Sequence, residues 1–284
     1  MERAMRLDTE MGAVVKRADA IEADNAELVA ALERARVASD VAARSAAKAL
    51  SPAEFAARLK QAESIGETGD PEEALRELLW CYDEGLPQLV GIAGRMQMPE
   101  VARALSTLAL RYPAAGIVLR ERMEKASRRI LSSVDDSEAV SELASLAQAT
   151  GDDRALVSVY DQIPPGDPRR KRVAIYAFSH FAATGRYSDA VLGRPYASMS
   201  SRFEMLSQEH PLPPTVRDPE GRKKMLRDNA IKTAITNIEV LAGSGDLEHA
   251  RILAGRLLKY DNSSETTALL QSSLARAGHA ELLK

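Results

Sequence analysis

Two glycines 34 residues apart mark the feature that most constrains this chain, a repeated helix–turn–helix pattern. Gly151 and Gly185 each end a stretch with helical periodicity, and cues for another helix follow directly. Gly245 and Gly278 are 33 residues apart and repeat the spacing. A period close to 34 residues with a glycine turn between two helices is typical of stacked helical hairpins. The sequence therefore predicts an all-α protein whose hairpins form a solenoid, an architecture that holds partner proteins.

The composition narrows the class of protein further. Hydrophobic residues make up 45% and charged residues 28%, which indicates a folded globular chain. The net charge of −3 disfavours a protein that coats nucleic acid, because phosphate contacts need a surplus of cations. One cysteine, Cys81, excludes an intrachain disulfide, and we expect it to be buried. There is no apolar run long enough for a membrane span and no apolar signal-peptide core, so we expect a cytoplasmic protein; a trimmed secreted or membrane-tethered fragment is the alternative.

Residues 1–50 differ from the rest of the chain, since they contain no proline and a single glycine, Gly12. Apolar residues recur there at alternating spacings of three and four, the heptad seam of a coiled coil. Asn25 falls at an a position, where paired asparagines fix the register of a dimer. We expect a homodimer or homotrimer; a surface helix, or packing on the repeats, is the alternative. The oligomerisation positions are Met11, Val14, Ile21, Asn25, Leu28 and Leu32.

The remaining chain divides into two helical blocks. Ser51, Pro52 and Glu54 form a capping box that starts the first block, residues 51–208. Within it, residues 87–96 and 100–111 are predicted as two helices separated at Pro99. Residues 209–221 contain four prolines and are predicted as a linker or insert, because proline fixes the backbone and removes donors. Helical repeats resume over residues 222–284.

Three of the predicted turns share a further motif, an alanine five residues after the glycine. The pairs are Gly69 with Ala74, Gly185 with Ala190, and Gly245 with Ala250, and the bulky residues four positions before each glycine are Ile65, Phe181 and Leu241. In these positions the chain resembles the tetratricopeptide repeat family. The resemblance implies a right-handed superhelical solenoid of about five to seven antiparallel hairpins. It also implies a concave groove that takes up an extended or helical segment of a partner.

In such an array the first helix of each hairpin lines the concave side. Aligned on the turn glycines, the groove residues are Arg172, Ile175, Ser179, Lys232, Ile235 and Glu239. Their mixture of aliphatic, cationic and polar groups suits an amphipathic segment with acidic character. Some members of the family bind a carboxylate terminus with lysine and asparagine, but the corresponding positions here carry no basic pair. We therefore do not predict that clamp.

Candidate chemistry outside the groove is weak. Ser45 and Lys48 have the spacing of a serine acyl-enzyme, but the supporting motifs are absent and the pair lies in the heptad helix. The four histidines never fall on one helical face, and there is no phosphate-binding glycine loop. Basic runs at residues 169–172 and 222–224 begin helices and indicate solvated faces or contacts with an acidic partner. No catalytic residue, metal or cofactor is predicted.

The sequence thus favours a non-catalytic adaptor or scaffold that binds a protein or peptide. Oligomerisation through residues 1–50 would present several copies of one groove and raise avidity. The alternative is a structural or polymer-associated protein that uses the long helix for co-assembly.

Overall fold

The structure is a computed structural model, and it describes residues 50–89, 93–133, 136–152, 154–208 and 217–283. Every regular element in these residues is helical, which confirms the all-α prediction. The heptad positions, Met11, Val14, Ile21, Asn25, Leu28 and Leu32, lie outside the described residues, as do Ser45, Lys48 and residues 211–214. The helices are α1 (Pro52–Thr68), α2 (Pro71–Trp80, continued by a π-helical turn Cys81–Gly85 and a last turn Leu86–Gln88), α3 (Ala93–Ala109), α4 (Pro113–Ser132), α5 (Ser137–Thr150), α6 (Ala155–Gln162), α7 (Pro168–Ala183), α8 (Tyr187–Gly193), α9 (Tyr196–Ser207), α10 (Pro219–Gly243), α11 (Leu247–Tyr260) and α12 (Ser264–Arg276), followed by a 3₁₀ turn (Ala280–Leu283).

Side-chain caps set where many of these helices begin. The predicted capping box is present before α1, where the Glu54 amide donates to Ser51 Oγ at 3.2 Å and the Ser51 amide donates to Glu54 Oε2 at 3.0 Å. Asp136 caps α5 through the Ala139 amide at 2.9 Å. Such caps satisfy amides that have no partner within the helix. The starts of these helices are therefore local properties of the sequence.

Glycine turns end four of the helices in the same way. Gly151, Gly185, Gly245 and Gly278 all have positive φ, between 69° and 89°. The amide that follows each glycine donates to a carbonyl five residues earlier, over 2.8 to 3.0 Å. This is the Schellman arrangement, which needs a left-handed residue and so favours glycine. The predicted turns at Gly151, Gly185 and Gly245 are confirmed.

The helices stack in pairs. α1 packs on α2, α3 on α4, α5 on α6, α7 on α8, and α10 on α11. The first helices of consecutive pairs also contact one another, in the order α1, α3, α5, α7, α10 and α12. The alanines five residues after the turn glycines, Ala74, Ala190 and Ala250, are fully buried at these crossings. The pairs therefore share one continuous core, and α9 is an extra helix that packs on α10 and α11.

Two predicted boundaries are wrong. Residues 93–109 form one helix that runs through Pro99, although two helices separated there were expected. Pro99 lies on the exposed side of α3, where water can bind the carbonyl that the missing amide leaves free. The predicted linker, residues 209–221, is also too long, because α10 already begins at Pro219. Proline suits that first helical position, and Asp218 caps it through the Gly221 amide at 2.9 Å.

Candidate functional site

A pocket opens where α7, α9 and α10 meet, beside the connection between α8 and α9. Its volume is about 260 Å³. That volume holds one side chain or a small anion and is below the range of typical drug-sized ligand sites. We call it the C-terminal pocket. It is lined by Phe178, Ser179, Arg194, Arg202, Lys232, Thr233, Thr236 and Asn237.

The charged groups of the C-terminal pocket are all cations. Arg194, Arg202 and Lys232 line it, and no carboxylate from the described residues does. None of the three forms an ion pair with an acidic group in the described part of the chain. Cations without counter-ions around one small volume create a positive potential that attracts an anion.

Arg194 is held in a defined orientation within the C-terminal pocket. Its guanidinium lies 4.3 Å from the centroid of the Phe178 ring, a cation–π contact. The side chain is half-buried, and Nη2 donates to the Ile175 carbonyl at 3.5 Å. Burial, followed by repulsion from Arg202, lowers the pKa of Arg194 below its usual value. Arginine nevertheless stays protonated in proteins, so Arg194 brings a positive charge to the pocket.

A buried amide completes the C-terminal pocket. Asn237 is 1% exposed, and its Nδ2 is the one buried side-chain polar atom without a hydrogen-bond partner in the described part of the protein. An unsatisfied buried donor costs about 1–3 kcal/mol. Hydroxyl groups of Ser179, Thr233 and Thr236 lie in the same lining. Thr236 Oγ1 already donates to the Lys232 carbonyl at 3.0 Å, so the hydroxyls of Ser179 and Thr233 are the ones that join the three cations as potential donors.

The predicted groove residues fall into two groups. Ser179 and Lys232 line the C-terminal pocket. Ile175 lies one turn before Ser179 on α7 and is 40% exposed, and Arg172 is half-buried near the start of the same helix. These four residues remain close to an accessible surface of α7 and α10.

Ile235 and Glu239 are internal in this structure, contrary to the expected groove position. Ile235 is 7% exposed, and Glu239 accepts from Tyr187 at 3.1 Å and pairs with Arg276 at 2.6 Å. The reason is that α8, α11 and α12 all pack against α10, so its C-terminal half is buried on several faces. An alignment on the turn glycine alone could not include those neighbours.

Sequence reasoning named two of the eight residues that line the C-terminal pocket and missed six, including Arg194, Arg202 and Asn237. Arg194 lies between two helices, and Arg202 is on α9, a helix that was not predicted separately. Asn237 is the one with a detectable signal, because it recurs at helical spacing with apolar Ala230, Ala234 and Leu241 on α10. A polar residue in that setting is expected to have a buried partner or a ligand.

A larger recess lies in the N-terminal half of the described chain, between the end of α2, the start of α3, and helices α4 and α5. Its volume is about 780 Å³, and we call it the N-terminal recess. Unlike the C-terminal pocket, it contains acids that pair with its cations. Arg122 binds Asp83 at 2.6 Å, and Arg129 binds Glu142 at 2.6 Å and Asp136 at 2.8 Å.

Hydrogen bonds extend this network into the core. The hydroxyl of Tyr82 donates to Glu142, so Glu142 joins α2, α4 and α5. Burial, followed by the negative charge of Glu142, raises the pKa of Tyr82 far above its usual value. The phenol therefore stays protonated and serves as a donor. These hydrogen bonds and ion pairs link three helices to one another, as a structural polar network does.

The remaining reactive groups have structural surroundings. Cys81 is fully buried, as predicted, and burial raises its pKa to about 11, so the thiol is a poor nucleophile. Among the described residues, no three His, Cys, Asp or Glu side chains are grouped to bind a metal ion. No helix in the same ranges is long and apolar enough to span a bilayer.

Both basic runs lie at the starts of helices, and Arg169 and Arg170 of the first run form contacts within the protein. Arg169 pairs with Asp167 at 2.6 Å and donates to the Leu131 carbonyl at 2.6 Å. Arg170 lies 3.6 Å from Asp189. In the second run, Lys223 pairs with Glu220 at 2.8 Å on an exposed turn, as expected for a solvated face.

The sequence matches no protein-family model, no curated protein and no solved structure. Functional inference for this chain therefore depends on its own geometry.

Proposed function

We propose that this protein is a non-catalytic interaction scaffold that binds an acidic segment of a partner protein at the C-terminal pocket. In this proposal the helix pairs form a tetratricopeptide-like, right-handed superhelical solenoid. Residues 1–50 join copies into a homodimer or homotrimer, so several pockets can engage one partner with higher avidity. A cytoplasmic setting belongs to the same proposal, because the single cysteine, Cys81, requires no oxidising compartment.

The observation that carries the proposal is a set of three cations around one small volume, none of which forms an ion pair with an acid of the described residues. Arg194, Arg202 and Lys232 contribute three positive charges, and the lining contains no acid from the described residues. The overall charge of the chain is −3, so this is a local concentration of positive charge and not a property of the whole surface. An acidic side chain of a partner would supply the missing counter-charge.

The surroundings of the pocket fit a peptide segment with apolar neighbours. Ile175 and Tyr176 on α7 are 40% and 48% exposed. Ile175 precedes Ser179 of the lining by one helical turn, and its carbonyl accepts from Arg194. An amphipathic segment could place an acidic group in the pocket and an apolar group on this part of α7.

Selection from a displayed peptide library tests the proposal. The wild-type chain should enrich acidic peptides, and the double variant Arg202→Glu/Lys232→Glu should lose this enrichment. The control, Lys171→Glu/Lys224→Glu, makes the same change of charge on exposed residues of α7 and α10 that do not line the pocket. All three chains should show the same helical circular dichroism. Equal enrichment by both double variants, or no enrichment by the wild type, would contradict the proposal.

A further inference from the structure

We infer that the C-terminal pocket recognises a phosphate monoester, carried on a phosphorylated serine or threonine of the partner segment. This inference rests on the proposed function and specifies the acidic group. It follows from the charge of the pocket, the geometry of its donors and its size.

The charge of the pocket exceeds what a carboxylate neutralises. Its lining has three cations and, within the described residues, no acid. One aspartate or glutamate would supply a single negative charge and leave two cations uncompensated. A phosphate monoester carries about −1.5 to −2 at neutral pH. Its charge therefore matches the pocket more closely than that of a carboxylate.

The donors of the pocket also suit a phosphate group. Two guanidinium groups, Arg194 and Arg202, offer planar forks that bind phosphate oxygens in pairs. The Phe178 ring holds the guanidinium of Arg194 at 4.3 Å, which reduces the freedom lost on binding. Lys232 adds an ammonium donor. Three phosphate oxygens can accept all of these bonds, whereas a carboxylate has two oxygens.

Asn237 adds a buried amide to the wall of the pocket. This residue is 1% exposed and lines the pocket, yet its amide nitrogen has no partner within the described chain. Buried side-chain amides are almost always hydrogen-bonded in folded proteins. Less than 1 Å² of this nitrogen is accessible, so an acceptor oxygen in the pocket would reach it only if the Asn237 side chain or a neighbour moved on binding.

The size of the pocket favours one phosphorylated side chain over larger phosphates. Its volume of about 260 Å³ is less than that of typical sites for nucleotide-sized ligands. Binding along a nucleic acid would need several phosphate contacts on a basic surface. The lining offers a single cluster of cations on a chain of net charge −3.

The test uses the full chain and three synthetic peptide libraries that differ only in the central residue. Each peptide has randomised flanks around phosphoserine, glutamate or serine. We expect binding to the phosphoserine library at least tenfold tighter than to the other two. Arg194→Lys keeps the charge but removes the planar fork, and Lys232→Gln removes a charge from an exposed position. Each should lower phosphoserine affinity by tenfold or more, while Lys224→Gln, also on α10, should leave it unchanged.

The outcomes separate this inference from the proposed function. If the glutamate library binds as tightly as the phosphoserine library, the phosphate inference is overturned and the acidic-segment proposal stands. If neither library binds, both are overturned. If phosphoserine peptides bind equally well to wild type and to Lys232→Gln, the assigned site is wrong. Since Lys232 is exposed, its substitution should not alter the unfolding midpoint, which provides the check on folding. Binding to phosphoinositide vesicles without binding to phosphopeptides would overturn the assigned class of partner.

Discussion

The two concave sites of this protein contain similar cations in opposite electrostatic settings. In the N-terminal recess, Arg122 and Arg129 each bind carboxylates at 2.6 Å, and Glu142 also accepts from Tyr82. In the C-terminal pocket, Arg194 and Arg202 line the same volume, and no acid from the described residues does. The first set joins neighbouring helices. The second set is available for a ligand.

The two sites differ in electrostatic setting as well as in volume. The N-terminal recess is three times larger, at about 780 Å³ against about 260 Å³, but its lining includes carboxylates, and two of its cations, Arg122 and Arg129, are paired with acids. The smaller pocket has unsatisfied groups, including the amide of Asn237. Arg202 and Lys232 are exposed, so water solvates their charges, whereas the buried amide of Asn237 is an unsatisfied donor that costs stability in the free protein.

The largest expected effect comes from Gly193, which sets the position of the C-terminal pocket. A Cβ on Gly193 would lie 2.4 Å from the carbonyl carbon of Ala174, so α8 and α7 cannot keep their approach. Since the contact is with backbone, the helices must separate. We expect Gly193→Ala to lower the free energy of unfolding by about 3 kcal/mol, measured by urea denaturation. It should also displace Arg194, the next residue, and weaken ligand binding.

Gly255→Ala is the matched control for this prediction. Gly255 is an exposed residue within α11, and a Cβ there would meet no atom within 4 Å. Because glycine is a poor helix former, the substitution should raise the free energy of unfolding by about 0.5–1 kcal/mol. Similar losses at the two positions would contradict the close approach of α7 and α8.

The second prediction contrasts one arginine from each site. Arg129→Ala leaves Glu142 and Asp136 without their cation, and the side chain of Glu142 is only 12% exposed. We expect a loss of about 1–2 kcal/mol, moderated because the side chain of Arg129 is 37% exposed. Arg202→Ala removes an unpaired cation and should change stability by less than about 0.5 kcal/mol.

Urea denaturation of both variants, with no ligand present, measures this difference. Equal losses would mean that Arg202 has a structural role similar to that of Arg129. The effects on binding should have the opposite order. Arg202→Ala should weaken binding of an anionic peptide, and Arg129→Ala should not.

Much of the fold could be predicted from short stretches of sequence. The candidate site could not, because it depends on contacts between residues that are far apart in the chain. The cap at Ser51 and the turns at Gly185 and Gly245 depend on a few adjacent residues, so they were predictable. The buried positions of Ile235 and Glu239 depend on α8 and α12, whose contacts with α10 join residues far apart in the sequence.

Arg194 illustrates the same limit within the candidate site. It lies in a connection between helices, and its function depends on Phe178 from α7 and Arg202 from α9. No periodicity places these three groups together. Pro99 shows the converse error, because a strong local rule predicted a helix break that the tertiary structure does not require.

The smallest expected effect is a difference in acid sensitivity between the two sites. Burial alone would raise the pKa of Asp136, but the Ala139 amide and Arg129 outweigh it and lower the pKa below the usual value of 3.8. A carboxyl whose pKa is lower in the folded state stabilises the protein above its unfolded pKa. That contribution disappears as the pH falls through the folded pKa. Asp136→Asn keeps an acceptor for the Ala139 amide but removes the charge.

We therefore expect the stability difference between wild type and Asp136→Asn to be at most about 1 kcal/mol at pH 7. It should shrink between about pH 5 and about pH 2, as measured by thermal unfolding across a pH series. Lys232→Gln provides the contrast, because no described carboxylate lines the C-terminal pocket. The stability difference between Lys232→Gln and wild type should not change over the same pH interval. A parallel decline for both variants would show that Lys232 is coupled to an acid in the folded protein, and the pocket would then no longer count as uncompensated.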